Sequence, residues 1–329
     1  MWKLWSLILG LTLLAGPLAA QPSHWRGEWP RTDFTRYAVA FEDILSGGPP
    51  KDGIPSIDSP RFEAAGSHGT LAPTEPVLSI AIAGDVRAYP LRILMWHEIV
   101  NDTVAAIPVA VTYCPLCNTG LVFKRVVDGR TLDFGTTGKL RNSDLVMYDR
   151  QTESWWQQFV GEGIVGEMTG KRLEIVASRL ESWAAFRARA PASARVLVPP
   201  DPPRRPYGTN PYEAYDGRDR PYPLFTGELP KDVAALARIV VVREEGRPVA
   251  AWTLDKVRSA GRIETSDGLI LSWQAGQNSA LDTGTIARGR DVGTVVVQRR
   301  QATGLVDVPY SVDFGFAFRA FFPEAVLNQ

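Results

Sequence analysis

The stretch WHEIVNDTVAAIPVAVTYCPLCNTG, residues 96 to 120, carries both cysteines of the chain and one of its three histidines. Two thiols separated by two residues, Cys114 and Cys117, can ligate one metal ion from a single turn or can close to a disulfide. With His97 facing them they form a set of two sulfurs and one nitrogen, soft enough for Cu(I) and also used by Zn2+. Copper is the favoured ion on that set, and a fourth position remains. Met147 is the soft candidate for it, while Glu98, Asp102, Asp144 or water are hard ones. A closed structural zinc site of Cys and His alone would have to recruit His24 or His68. The disulfide reading is either redox-active, with Cys114 attacking and Cys117 resolving the mixed disulfide, or structural. A thioredoxin-like placement is disfavoured, because the flanks read as strands and Pro115 follows the first cysteine.

Other motifs fail on inspection. HEIVN begins like a zincin helix, but Asn101 stands where the second histidine is needed. GTTGKL lacks the first glycine and the hydroxyl residue of a phosphate loop, so no nucleotide is expected. CPLCN lacks the histidine of a c-type haem site, so no haem is expected. No G-x-S-x-G nucleophile elbow is present. The stretch RNSDLVMYDRQTESWWQQF is dense in Asp144, Tyr148, Asp149, Arg150, Trp155 and Trp156, residues that line polar clefts and also make ordinary strand packing.

Most elements around these residues read as antiparallel β structure. PVLSIAIAGDVRAYPL is a hairpin turning at Gly84-Asp85, and RILMWHEIVND reads as a short helix with Ile93, His97 and Val100 on one face. Strands flank the CPLC turn, Asp128-Gly129 marks another hairpin, and LESWAAFRARAP is a short helix stopped by Pro191. The fold class expected is mainly β with short helices, α+β. Residues 21 to 74 form an extended N-terminal segment and 75 to 198 a motif-bearing unit. A Pro- and Tyr-rich connection covers 199 to 230, and a second β-rich unit covers 231 to 329. ARIVVVREEGRPVAAWTLDKVRSAG repeats the plan of the first hairpin and helix, and the two units read as diverged copies of one hairpin and helix unit.

The first 20 residues read as a signal peptide: Lys3, an apolar run from Leu4 to Ala15, and a small-residue exit from Pro17 to Ala20. Export, most simply to a periplasm, is expected, with a soluble mature chain and no membrane span. The 36 basic and 36 acidic side chains balance, which recommends neither nucleic acid nor an anionic membrane as partner.

The strings AYPLRIL, HEIVND, PVAVTYCPLCNTGLVF, FGTTGKLRNSDLVMYDRQTESWW and FGFAFRAFFPEA together resemble the bacterial and archaeal domain-of-unknown-function family 3179. The resemblance covers nearly all of the chain beyond the signal peptide and is densest from Val77 to Pro191. It implies that the hallmark residues are His97, Glu98, Asn101 and Asp102, the pair Cys114 and Cys117, and Ser143, Asp144, Met147, Tyr148 and Asp149. The chain departs from the usual pattern at Asn118-Thr119 and Thr137.

Three functions are therefore expected in order: a copper or zinc site of His97, Cys114, Cys117 and Met147, a thiol-disulfide oxidoreductase, or a ligand-binding module pinned by a disulfide. Around the metal site, Asp102 or Glu98 would fix the imidazole tautomer. Asn101, Ser143, Asp144, Tyr148 and Asp149 would line the adjoining cleft.

Overall fold

The computed structural model describes residues 23–329. The signal-peptide reading falls on residues outside that range. Strands hold 40% of the residues and helices 13%, so the chain is β-rich with short helices, as the residue patterns indicate.

The motif-bearing region opens with a hairpin, β1 (Pro76–Ile82) and β2 (Asp85–Pro90). Its turn is Ala83-Gly84, both at positive φ, one residue earlier than the sequence reading placed it. Helix α1 (Leu91–His97) follows, then the meander β3 (Ile99–Val104), β4 (Ile107–Cys114) and β5 (Thr119–Lys124). The helix is shorter than RILMWHEIVND suggested. Glu98 terminates it, and the β-branched Ile99 and Val100 pair with Thr112 and Val111 of β4.

Strands β6 (Phe134–Arg141) and β7 (Asp144–Asp149) form a second hairpin, and β8 (Trp155–Gln157) pairs with β7. The outer face of this sheet is covered by the N-terminal segment: Trp29 and Phe34 pack with Tyr148 and Trp155 in a buried cluster of their own. Gly138, in the string that mimics a phosphate loop, has φ +70, and a Cβ there would lie 1.9 Å from the Pro49 carbonyl oxygen. The glycine therefore admits the backbone of that segment, and it cradles no phosphate. Helix α2 (Trp183–Arg189) begins at Ser182, whose hydroxyl accepts the Ala185 N–H, and stops before Pro191.

In the C-terminal part, β9 (Arg238–Glu244) and β10 (Arg247–Thr253) form a hairpin followed by α3 (Leu254–Ala260). A meander of β11 (Arg262–Glu264), β12 (Leu269–Gln274) and β13 (Thr294–Gln301) comes next. The chain closes with β14 (Tyr310–Phe314), which pairs with β9, and α4 (Gly315–Phe321). The order of hairpin, seven-residue helix and antiparallel meander thus occurs in both parts. One contiguous core joins them, with Tyr113, Leu116 and Cys117 packed in the same cluster as Val240, Phe314 and Phe316.

Residues 199 to 230 hold no strand, only turns and the single 3-10 turn Tyr215–Gly217. This strap is anchored by Asp216, whose side chain is fully buried and accepts from Arg238 at 2.6 Å and Arg290 at 2.8 Å. It runs over the CPLC turn, where the Tyr215 hydroxyl donates to the Leu116 carbonyl at 3.0 Å.

Candidate metal centre

Cys114 is the last residue of β4 and pairs with Thr119 of β5, so the turn between the strands is Pro115 to Asn118. Asn118 carries the left-handed conformation the turn needs, φ 55, which Asn tolerates better than most residues. Its side chain is a staple: Nδ2 donates to the Val312 carbonyl at 2.7 Å and Oδ1 accepts from Tyr113 Oη at 3.2 Å. The Phe314 N–H donates to the Cys117 carbonyl at 2.9 Å. Strand β14 therefore fixes the turn from the other half of the molecule.

Both cysteines are free thiols, 1% and 0% exposed. The β6–β7 hairpin brings a carboxylate to them. Its two-residue turn, Asn142-Ser143, has both residues at positive φ, the geometry that suits tight hairpins, and Asp144 is the first residue of β7. The Cys114 thiol points to the Ser143 carbonyl at 3.8 Å. The two sulfurs and one carboxylate oxygen of Asp144 all lie within 4.8 Å of one another.

Asp144 is held from one side only. Its Oδ2 accepts from Gln157 Nε2 at 2.6 Å and from the Phe159 N–H at 2.9 Å. Its Oδ1, fully buried, receives no N–H or O–H donor, and the nearby Ser143 Oγ and Gln157 Oε1 are also without partners. Burial pushes the Asp144 carboxyl up to about 7. Glu98, also buried, is pushed up to about 8, first by burial and then by the charge of Asp144. Burial raises both thiols, Cys117 well above its ordinary value, and the Asp144 charge adds to this in each. Two carboxyls and two thiols are thus buried here, and neither carboxyl has a salt bridge among the described residues. Groups in that state favour their protonated forms.

His97 is not among them. A carbonyl can only accept, so His97 donates from Nδ1 to the Pro55 oxygen at 2.7 Å, which leaves Nε2 to accept from the Tyr207 hydroxyl at 2.7 Å. Burial lowers its pKa, and the ring edges an open cleft of about 550 Å³ lined also by Asp58, Asp201, Arg204 and Arg205. Of the expected Cys114–Cys117–His97 set, the helix turns His97 inward, but its ring nitrogens meet Pro55 and Tyr207, and the donors that lie within 4.8 Å of one another are Cys114, Cys117 and Asp144. Met147 pairs with Thr136 and Trp156 on the neighbouring strands and lies in the core cluster that also holds Cys114 and Cys117.

The remaining expected residues divide. Glu98, Ser143 and Asp144 are at the cysteines. Asp102 is occupied by Arg87 at 2.6 Å and by the Tyr89 hydroxyl at 2.6 Å, so it does not orient His97. Asn101 bridges Asp58 and the backbone of Phe134. Tyr148 donates to Asp52 at 2.6 Å, and Asp149 accepts from Thr152 and Trp156. Those four hold the N-terminal segment and the strand ends. Gln157, which orients Asp144, was missed by the sequence reading, and its only signal was its place in the polar-aromatic run SWWQQF.

A His97→Gln variant, whose side-chain amide keeps one donor and one acceptor, is expected to retain the wild-type metal content. Elemental analysis of the purified variant checks this, and loss of metal would return His97 to the ligand set.

No curated protein and no solved structure matches the chain. Its residues 51–325 match the family model described as "Protein of unknown function (DUF3179)", and the chain therefore belongs to that family.

Proposed function

We propose that this exported protein binds a transition-metal ion through Cys114, Cys117 and Asp144, with Zn2+ fitting the donors better than copper. One observation carries the reading: two thiols and a carboxyl converge within 4.8 Å in a fully buried pocket, and one carboxylate oxygen there has no N–H or O–H donor. Burying such groups is unfavourable unless a cation or a hydrogen bond compensates them. A divalent ion would satisfy Asp144 Oδ1 and bring the thiols back down to their thiolate forms. The change of preferred metal follows from the donors. A carboxylate in place of the imidazole hardens the set, which disfavours Cu(I) and leaves Zn2+ well served.

The oxidoreductase reading loses its support at Cys114. An attacking thiol has to be accessible and acidified, whereas this one is 1% exposed and has its pKa raised by burial. Nor are the sulfurs joined, so a pinned-turn role for a disulfide has no structural support. No helix among the described residues is long and apolar enough to cross a membrane.

The test is elemental analysis with thiol counting on full-length protein purified from its native compartment without chelators or a His tag. About one equivalent of zinc with both thiols reduced is the expected result. Metal-free protein with a closed Cys114–Cys117 bond would overturn the reading.

A further inference from the structure

Zinc in proteins is almost always four-coordinate, and Cys114, Cys117 and Asp144 supply three donors. No further His, Cys, Asp or Glu joins that group among the described residues. The fourth position therefore falls to a group of another kind, and the neighbouring side chains indicate which.

Gln157, the last residue of β8, is fully buried, and its Nε2 donates to Asp144 Oδ2 at 2.6 Å. Turning the amide over would set oxygen against oxygen, because Oδ2 is the acceptor of the Phe159 N–H as well. The amide orientation is thus fixed, and Oε1 is left without a donor. Covalent geometry of the amide keeps that oxygen within about 5 Å of Asp144 Oδ2. Ser143 precedes Asp144, and its carbonyl lies 3.8 Å from Cys114 Sγ. Its own hydroxyl is buried and also lacks a partner. Two such groups beside one set of metal donors are costly to the fold unless a ligand meets them.

Chemistry, charge and size narrow that ligand. An amide oxygen only accepts, so whatever faces Gln157 Oε1 carries a hydrogen. Two thiolates and one carboxylate already outweigh the charge of a divalent ion, which opposes a further anion. Cys114 is 1% exposed and Cys117 and Asp144 are 0% exposed, so the ligand is small.

We propose that a water molecule fills the fourth position, bound to the metal through its oxygen and donating a hydrogen to Gln157 Oε1, with the Ser143 hydroxyl as its second hydrogen-bonding partner. The inference rests on the metal-binding reading above. A metal–oxygen bond of about 2 Å followed by a hydrogen bond of about 2.8 Å spans about 5 Å, a distance the Gln157 amide can bridge from Asp144. The centre thereby keeps an exchangeable position, and that position selects a small neutral O–H ligand over an anion. Gln157 serves it twice: Nε2 aims Asp144, and Oε1 selects the ligand.

Full-length protein loaded with Co2+ in place of Zn2+ reads this position directly. The electron paramagnetic resonance of the wild-type Co2+ form is expected to broaden in water enriched in oxygen-17, and azide is expected to leave its visible d–d bands unchanged. Gln157→Met, close in volume but without the buried acceptor, is expected to bind azide at least about tenfold more tightly than wild type. Metal-loaded wild type without oxygen-17 broadening would mean that a protein group closes the site, and only this inference falls. Equal azide binding by wild type and Gln157→Met takes Gln157 away from the ligand, and the inference falls again. Wild type that binds neither Zn2+ nor Co2+ overturns the metal-binding reading itself.

Discussion

Protein carrying Asp144→Asn is expected to purify without metal under conditions in which wild type holds about one equivalent. The substitution removes one anionic donor and changes almost nothing in shape. The amide can still accept from the Phe159 N–H, so the start of β7 keeps its anchor. A neutral amide oxygen is, however, a poor ligand for Zn2+ beside two thiolates, and the bare Oδ1 is the atom through which Asp144 would reach the ion. The affinity should fall by at least ~100-fold, which corresponds to about 2.8 kcal/mol. Metal-free Asp144→Asn should be no less stable than metal-free wild type, since a buried carboxyl without a salt bridge opposes folding when ionised. Chelator competition gives the affinity and urea unfolding of the chelated proteins gives the stability. Wild-type affinity in the variant would remove Asp144 from the site.

The largest effect on stability is expected at Arg243. Its guanidinium is wholly buried, and it donates to Asp313 at 2.7 Å, to Ser311 Oγ at 2.8 Å and to the Phe159 carbonyl at 2.8 Å. Asp313 in turn accepts from the Thr119 hydroxyl at 2.8 Å, directly after the CPLC turn. Arg243 therefore links β9 and β14 to the two segments that hold Cys117 and Asp144. Arg243→Ala leaves Asp313 buried and without its cation, a loss of about 3–5 kcal/mol for a pair of this kind. The double variant Arg243→Ala with Asp313→Ala should lose less than the two single losses combined, because no unpaired charge is left behind. Urea unfolding of the four proteins measures both quantities. A loss below about 1 kcal/mol for Arg243→Ala, the range of an exposed pair, would show that the ion pair does not hold the two parts together.

Local features of the fold were legible in the residues. Asp128 and Gly129 both adopt positive φ, as a hairpin turn of that composition requires, and α2 ends ahead of Pro191. The end of α1 was not legible. HEIVND continues a helical spacing, yet the chain leaves the helix at Glu98, because Ile99 and Val100 gain a full row of pairings with β4 that no local propensity reports. The same limit applies to His97. Its partners, Pro55 and Tyr207, are 42 and 110 residues away, so an inward-facing ring was evident but its destination was not.

What the sequence alone determined at the candidate site is the pair of thiols. Two cysteines separated by two residues can meet wherever the chain turns between them, so their joint use, by metal or by disulfide, is the chemistry this spacing offers. The tertiary structure decided the rest: which carboxylate meets them, and that β14 and the strap close over the turn. Those relations arise when strands distant in sequence pair and share one core, and contacts of that kind leave no periodic or compositional trace in the segments that make them.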